Sequence, residues 1–430
     1  MGDFFKLLRR NRNYRYTWFG QVVSEIGDHF NTIAVFSLVL DRTGSGAVVS
    51  GVMLARAIPM ILAGPIAGVA LDRMDRKKLM IASDLVRGFF GLLFIGVVAY
   101  EPIWPIYVLS GALMFASPFF TSGRTAILPT IASEKELHAA NSLTQTTKAL
   151  TVSIGSMLGG LSVAGLGYKA TFLINAMSFF FSGAMVTLLK VKEGFTAKRK
   201  ALTEQDVAQP WREYKAGINY LRRKPLLLGI ALLGCGWAVG GGAAQILFSL
   251  FGEVVFDRGA TGIGFMWSAA GFGVLTGAVV AHEIGGKLKF EKYKKVVTAC
   301  YVVHGLSYVM FSQAPSFGLA AIFVCLSRTG VGVSMTLNQA QLLRHVDDEY
   351  RGRVYSTIES MIWATMMLSL TVAGFASEFV SPRTIGTWAG AFGTLTALVW
   401  TWANLSGRLP EPTLDGIDPD EVEIRTQPRM

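Results

Sequence analysis

One apolar stretch near the start of the chain carries an unusual density of groups that exchange protons or hydrogen bonds: Gln21, Ser24, Glu25, Asp28, Asn31 and Thr32. At helical spacings of i, i+3, i+4 and i+7 these side chains share one face. A helix starting near Tyr16 and rising ~1.5 Å per residue puts Asp28 roughly 18 Å along, near the middle of a hydrocarbon layer about 30 Å thick. A charge at that depth costs about 2.5–3.5 kcal/mol on insertion scales, so it needs a purpose or a partner. Two readings fit. Asp28 or Glu25 is a carboxyl that takes up and releases protons from a polar cavity. Alternatively, it stands in a permanent ion pair with a base on a neighbouring helix. Arg56, about 14 Å deep in the next apolar run, is placed to meet Asp28 or Glu25. A pair that protonation opens satisfies both readings.

Other charges fall inside apolar runs: Asp84 and Arg87, Lys148, Arg328 and Glu359. Asp84 and Arg87 are one turn apart and are expected to neutralise each other. Lys148 has no acid in its own run, so it must face a cavity or a partner helix. Histidine titrates near neutrality, yet His29 and His304 read more readily as packing residues than as coupling groups. The Gly240-Gly241-Gly242 run reads as a hinge or an unwound segment, and Trp237, Trp267 and Trp363 as lining for an apolar cavity. Motifs for other chemistries are missing: no phosphate loop, no H-E-x-x-H, no nucleophile elbow. Cys235, Cys300 and Cys325 sit in apolar runs without metal-ligand spacing. The expectation is neither an enzyme nor an ATP-driven machine, with no cofactor and no metal site.

The elements that must position these groups are membrane-spanning helices. Hydrophobic residues make up 51% of the chain and charged residues 16%, where soluble domains carry about 25% charged; the mean hydropathy is +0.43. Twelve spans are expected, at about 16–40, 47–71, 79–100, 104–122, 139–162, 168–189, 226–254, 260–283, 295–313, 317–340, 353–379 and 384–405. The long polar connection 190–225 contains WREYKAGINYLRRK, read as an amphipathic helix on the inner membrane surface. This divides the chain into a bundle over 1–189, a linker over 190–225, a second bundle over 226–405 and a tail over 406–430 expected to be disordered. The basic N-terminus FFKLLRRNRNYR leads into a full span, so no cleavable leader is expected.

The bases test this topology. With the N-terminus inside, 32 of the 40 Lys and Arg residues lie in inner segments and four, Arg42, Lys169, Arg258 and Arg383, in outer loops. That bias puts both termini on the cytoplasmic side. It also accounts for the net charge of +11 through the anionic inner leaflet, so no nucleic-acid partner is expected. The halves echo each other as well. TSGRTAILPTIASEKELHAANSLTQ follows span 4 and LNQAQLLRHVDDEYRGRVYSTIES follows span 10, each a basic span end, an acidic turn and a small polar helix entry. Parallel repeats of this size are a transporter architecture with a midplane site between halves.

The loop GPIAGVALDRMDRKK after span 2 resembles the signature of the major facilitator superfamily, G-x3-D-R-x-G-R-K/R-K/R, at Gly68, Asp72, Arg73, Arg76, Lys77 and Lys78, with Asp75 where the family has Gly. GSMLGGLSVAG in span 5 is similar to the antiporter signature G-P-x-x-G-G at Gly155, Gly159 and Gly160, with Ser156 for the proline, a likeness associated with export. Leu128, Pro129, Glu134, Leu137, Ala140, Asn141 and Ser142, with Asp348–Arg353, look like the drug:proton antiporter branch that holds macrolide-efflux proteins and the enterobactin exporter. Arg328 opens R-T-G-V-G, which resembles a span-4 pattern of proton-coupled facilitators but lies in the other half. The resemblance implies an all-α protein of two six-helix bundles in a bacterial inner membrane, a monomer exporting drug-, macrolide- or siderophore-like molecules against protons. Its site residues would be Glu25, Asp28, Asn31, Arg56, Lys148 and Arg328. The loop residues would form a cytoplasmic gate in which Asp72 reaches a cation of the other bundle, with Arg353 the candidate. Three rival functions are a lysophospholipid flippase, a ferroportin-like metal exporter suggested by Gly27-Asp28 and Cys235, and a non-transporting membrane sensor.

Overall fold

Inside a hydrocarbon layer, backbone amides are satisfied only within a helix or a closed barrel. This chain is helical. The computed structural model describes residues 2–190 and 204–412, and among these there is no strand. The helices are α1 (Gly2–Arg10), α2 (Arg12–Thr43), α3 (Gly46–Arg73), α4 (Arg76–Val97), α5 (Trp104–Ile131), α6 (Glu134–Thr187), α7 (Glu204–Arg223), α8 (Pro225–Leu250), α9 (Gly259–Gly285), α10 (Phe290–Gln313), α11 (Phe317–His345), α12 (Arg351–Ala376) and α13 (Pro382–Leu405). A π-helical turn, Phe251–Val255, extends α8.

Nine helices among the described residues are long and apolar enough to cross a membrane, where the sequence suggested twelve spans. The difference has two causes. Helix α6 has 54 residues, about 80 Å if straight, and supplies two of the expected spans. It breaks at Gly167, whose φ of 80° and ψ of 171° suit glycine almost alone. Helices α2 and α13 are long enough, at 32 and 24 residues, but less apolar. In α2 the polar stripe is the reason.

Helices α2–α6 pack together, as do α8–α13, and the two bundles meet where α6 lies on α9 and α3 on α12. Small residues allow this approach. A Cβ on Gly160 would come 2.5 Å from the Ala260 carbonyl oxygen, and one on Gly264 2.4 Å from that of Ser156. At this end one hydrophobic core crosses between the bundles, joining Phe36, Val39 and Val52 to Ile246, Phe248 and Leu370. At the opposite end each bundle has its own core, one around Tyr14, Met80 and Ile127, the other around Tyr293, Leu342 and Trp400. The bundles are therefore joined at one end and parted at the other.

Two local expectations change. Gly240–Gly242 lie within continuous helix α8 rather than a hinge: a Cβ on Gly242 would meet the Met366 carbonyl at 2.3 Å, so the run seats α8 on α12. The start of the tail is docked rather than disordered. Leu409 is buried against Gly229 and Trp400, and its carbonyl accepts from buried Lys294 at 3.1 Å; residues 413–430 lie outside the described residues. The amphipathic piece does form α7, whose Tyr220 stacks on Tyr350 and donates to Asp347 at 3.0 Å.

A polar knot ties the start of α6 to α2. The Glu136 carboxylate accepts from the Ser133 amide at 3.0 Å and hydroxyl at 2.9 Å, and from Asn11, the N-cap of α2, at 3.3 Å. These donors, the Ser133 amide foremost, hold Glu136 below its ordinary carboxylate range. A depressed folded-state value gives stability that is present above the unfolded value and lost as pH falls through the folded one. Glu136→Gln should flatten the acid side of the unfolding-midpoint profile of detergent-solubilised protein. An unchanged acid limb would remove Glu136 from that role.

Candidate functional site

The stripe on α2 meets α4 through one arginine. Asp28 is half-buried, and its Oδ2 lies 3.8 Å from Nη1 of Arg87, itself 2% exposed. Nη2 of Arg87 bonds Asp84, which is fully buried. The guanidinium is held between the Phe179 ring at 4.3 Å and the Phe120 ring at 4.9 Å. One base thus serves two carboxylates on two helices. Asp28 Oδ1 and Asp84 Oδ2 have no hydrogen-bond partner. In a low-dielectric interior this set carries one negative charge in excess, which one proton neutralises. The expected self-neutralising Asp84–Arg87 pair therefore exists but is not closed: it also holds Asp28.

Arg56 does not pair with Asp28 or Glu25. It donates to Asn31 Oδ1 at 3.0 Å and Thr32 Oγ1 at 2.9 Å, one turn along the stripe. Glu25 instead accepts from Gln21 at 2.8 Å and, across to α6, from Thr151 at 3.0 Å. Helix register explains the swap: Asp28 points to α4, whereas Asn31 and Thr32 point to α3.

Arg56 and Thr32 open onto a cavity of about 230 Å³ between the bundles. Its other walls are mostly Met and aromatic, with Met53, Met60, Met114, Met366, Trp267 and Trp363, and Gln245 as a further polar group. In this conformation the cavity is a little smaller than the roughly 300 Å³ at which drug-sized pockets begin. Flexible thioethers adapt to differing shapes.

The other predicted residues fall in separate places. Lys148 and Glu359 are exposed rather than buried; Lys148 is close enough to Glu25 and Arg124 to feel both charges. Arg328 is 7% exposed, beside the rings of Phe248 at 5.2 Å and Trp237 at 5.9 Å. His29 packs on Gly155, and His304 bonds Ser327 at 2.7 Å. In the signature loop Gly68, Asp72 and Arg73 are open or exposed. Arg76 donates to the Ala126 carbonyl at 2.8 Å, and Lys77 to those of Thr187 and Leu189 at 2.8 Å. Asp75, the departure from the pattern, caps α4 by accepting from the Lys78 amide at 3.0 Å. The described residues bring Arg353 to Glu349 at 3.8 Å, not to Asp72. They contain no group of three His, Cys, Asp or Glu able to hold a metal ion.

Three functional residues escaped the sequence reading. Arg124, expected in a loop, lies in α5, 8% exposed beside Tyr14 and Gln21, because the helix runs on to Ile131. Glu378, after α12, accepts from the Ser45 hydroxyl at 2.7 Å and the Ala47 amide at 3.2 Å, capping α3 from the other bundle. Glu253, in the π turn, accepts from Ser37 of α2 at 3.1 Å. All three contacts span long sequence separations, and no local spacing announces them.

A model of the Major Facilitator Superfamily matches residues 17–369. The chain belongs to the major facilitator superfamily. Among the facilitator's relatives, the MFS-type transporter YfiS of Bacillus subtilis is 26% identical over 384 residues, covering 87% of this chain and 89% of YfiS. Macrolide efflux protein A of Streptococcus pyogenes is 23% identical over 382 residues, 88% of this chain and 92% of the relative. The multidrug efflux pump Tap of Mycolicibacterium fortuitum is 25% identical over 367 residues, 83% and 87%. The fold resembles that of a bacterial homologue of the lysosomal transporter Spinster, with a TM-score of 0.68, 13% identity and coverage of 94% and 99%. A bacterial homologue of ferroportin gives 0.66, 17%, 91% and 98%. This facilitator is a membrane transporter built almost wholly of helices, the all-α class its sequence suggested.

Removing Arg87 leaves two buried carboxylates facing each other. Arg87→Gln should destabilise the protein by about 3–5 kcal/mol, the usual cost of orphaning a buried charge. Adding Asp84→Asn should recover a large part of it. Denaturant unfolding of both variants decides the point: equal loss in single and double variants would show that the three groups are not one network.

Proposed function

We propose that this facilitator is a proton-coupled exporter of amphipathic small molecules working by alternating access. The observation that carries the reading is Asp28, which holds buried Arg87 with one oxygen and leaves the other buried without a partner. Protonating Asp28 removes its hold on Arg87, which stays with Asp84. Helix α2 is then freer to move against α4. The same helix touches the opposite bundle at Ser37–Glu253, so a proton at Asp28 acts on the contact between bundles. The Met- and Trp-lined cavity supports an amphipathic cargo of variable shape. Relatives named for macrolide and multidrug efflux support the direction.

The distribution of bases supports a cytoplasmic N-terminus. In that orientation the joined end is the outer one, and this conformation opens inward. Glu378 capping α3 and Glu253 on Ser37 are then outer latches, while Asp72 and Arg353 stand ready to meet when the inner end closes.

Asp28→Asn keeps shape and hydrogen bonding but removes the titrating group. In proteoliposomes carrying a pH gradient, with the anionic dye 5-carboxyfluorescein as the transported probe, the variant should lose gradient-driven transport while keeping dye binding within a few-fold. Wild-type transport rates would sink the coupling role. For the latch, Glu378→Ala should raise maleimide labelling of a Ser50→Cys reporter severalfold in a background without the native cysteines. Unchanged labelling would count against it.

A further inference from the structure

The interior of the C-terminal bundle contains a cation that nothing balances. Arg328 of α11 is 7% exposed, and among the described residues no ion pair or hydrogen bond reaches it. The acids of this bundle are engaged or positioned elsewhere. Glu253 bonds Ser37 and Glu378 bonds Ser45, both at the joined end; Glu291 pairs with Lys294 at 2.7 Å; Glu283 and Glu359 are exposed. A lone buried guanidinium in a membrane protein is a functional feature until a partner is found.

Its surroundings are rich in donors and poor in acceptors. Arg328 stands over Phe248 and beside Trp237, and Phe248 packs edge-on against Trp267 with ring centres 5.5 Å apart. Tyr308 lies within electrostatic range of Arg328. Trp237 Nε1, Trp267 Nε1 and Tyr308 Oη are all sealed from solvent, and none has a hydrogen-bond partner. Guanidinium and indole nitrogens can only donate. Unsatisfied buried donors are rare in native proteins, and those of Trp237 and Tyr308 near this cation, with Trp267 behind the Phe248 ring, call for a common explanation. A water molecule would satisfy one or two donors and leave the charge. An oxyanion satisfies several and neutralises it, with the planar fork of arginine matched to two oxygens.

The position adjoins the cargo cavity through one side chain. Trp267 is shared: it lines the cavity and joins the ring cluster under Arg328. We propose that Arg328, with the indole N–H groups of Trp237 and Trp267 and the Tyr308 hydroxyl, forms an oxyanion-binding pole on the C-terminal side of the cavity, and that the cargo carries a carboxylate or phosphate group. This deepens the exporter reading and rests on the cavity being the cargo site. The cargo's apolar body lies along the Met-rich wall, with Arg56 and Thr32 facing it from the N-terminal bundle.

The test is a calorimetric titration of the purified full chain in dodecyl maltoside with three probes of one shape: 1-naphthaleneacetate, 1-naphthyl phosphate and 1-naphthylmethylammonium. The two anions should bind at least tenfold more tightly than the cation. A tighter acetate identifies a carboxylate cargo and a tighter phosphate a phosphorylated or phospholipid-like one; either supports the pole. Arg328→Gln should abolish the anion preference. Trp237→Phe, which removes one N–H and little else, should weaken both anions several-fold while leaving the ammonium probe unchanged, and it serves if Arg328→Gln does not fold. Equal affinity for all three probes, or an anion preference that survives both substitutions, overturns the proposal. The titration needs no transport. Lost anion preference with intact gradient-driven dye export would sink the pole alone, and selective binding without export would sink the exporter reading alone.

Discussion

A single arginine shared by two carboxylates on neighbouring helices is the constraint on which the membrane interior of the N-terminal bundle depends. Arg87 is clamped between Phe120 and Phe179, so its guanidinium has little freedom to follow one acid and abandon the other. In a medium where an orphaned charge costs several kcal/mol, the spacing of α2 and α4 is tied to the protonation of Asp28. The remaining polar groups of α2 fit around this. Glu25 is satisfied by Gln21 and Thr151, and Arg56 is satisfied by Asn31 and Thr32, so neither competes for Asp28.

The second organising feature is the difference between the two ends of the molecule. Where the bundles join, glycines bring backbones within the reach of a single missing methyl group, and a continuous apolar core crosses the divide. Only a few polar contacts lock this end, and two of them depend on carboxylates, Glu253 and Glu378. Hydrophobic contact of this kind is strong in sum and indifferent to small sliding, whereas a carboxylate capping a helix N-terminus is directional. The division of labour suits a joint that must close firmly and still open. At the parted end each bundle keeps its own core, so separation exposes no apolar surface that was built to be covered.

The cavity between these ends is asymmetric in charge. Its N-terminal wall holds an arginine satisfied by neutral acceptors, and the C-terminal bundle behind Trp267 holds an arginine that no described residue pairs with. The apolar middle is made of the most adaptable side chains available.

Much of this was legible in the sequence. Apolar run lengths placed most of the helices within a few residues, because a bilayer admits few other structures, but not the inner end of α5, which runs on to Ile131. The signature loop and the glycines of span 5 pointed to the superfamily, and the polar stripe of α2 was visible from its spacing alone. The partnerships were not legible. Asp28 pairs with Arg87 rather than Arg56, and Glu378 caps a helix more than three hundred residues away in sequence. Lys148 and Glu359 are exposed rather than buried, and the start of the tail docks at Leu409. Periodicity reports which residues share a face of one helix. Which neighbouring helix that face meets depends on axial rotation and register set by packing across the whole bundle. The sequence by itself determined the helices, their apolar faces and the residues costly enough to need partners; only the tertiary structure decided who those partners are, because a buried charge is satisfied by proximity in space and not by spacing along the chain.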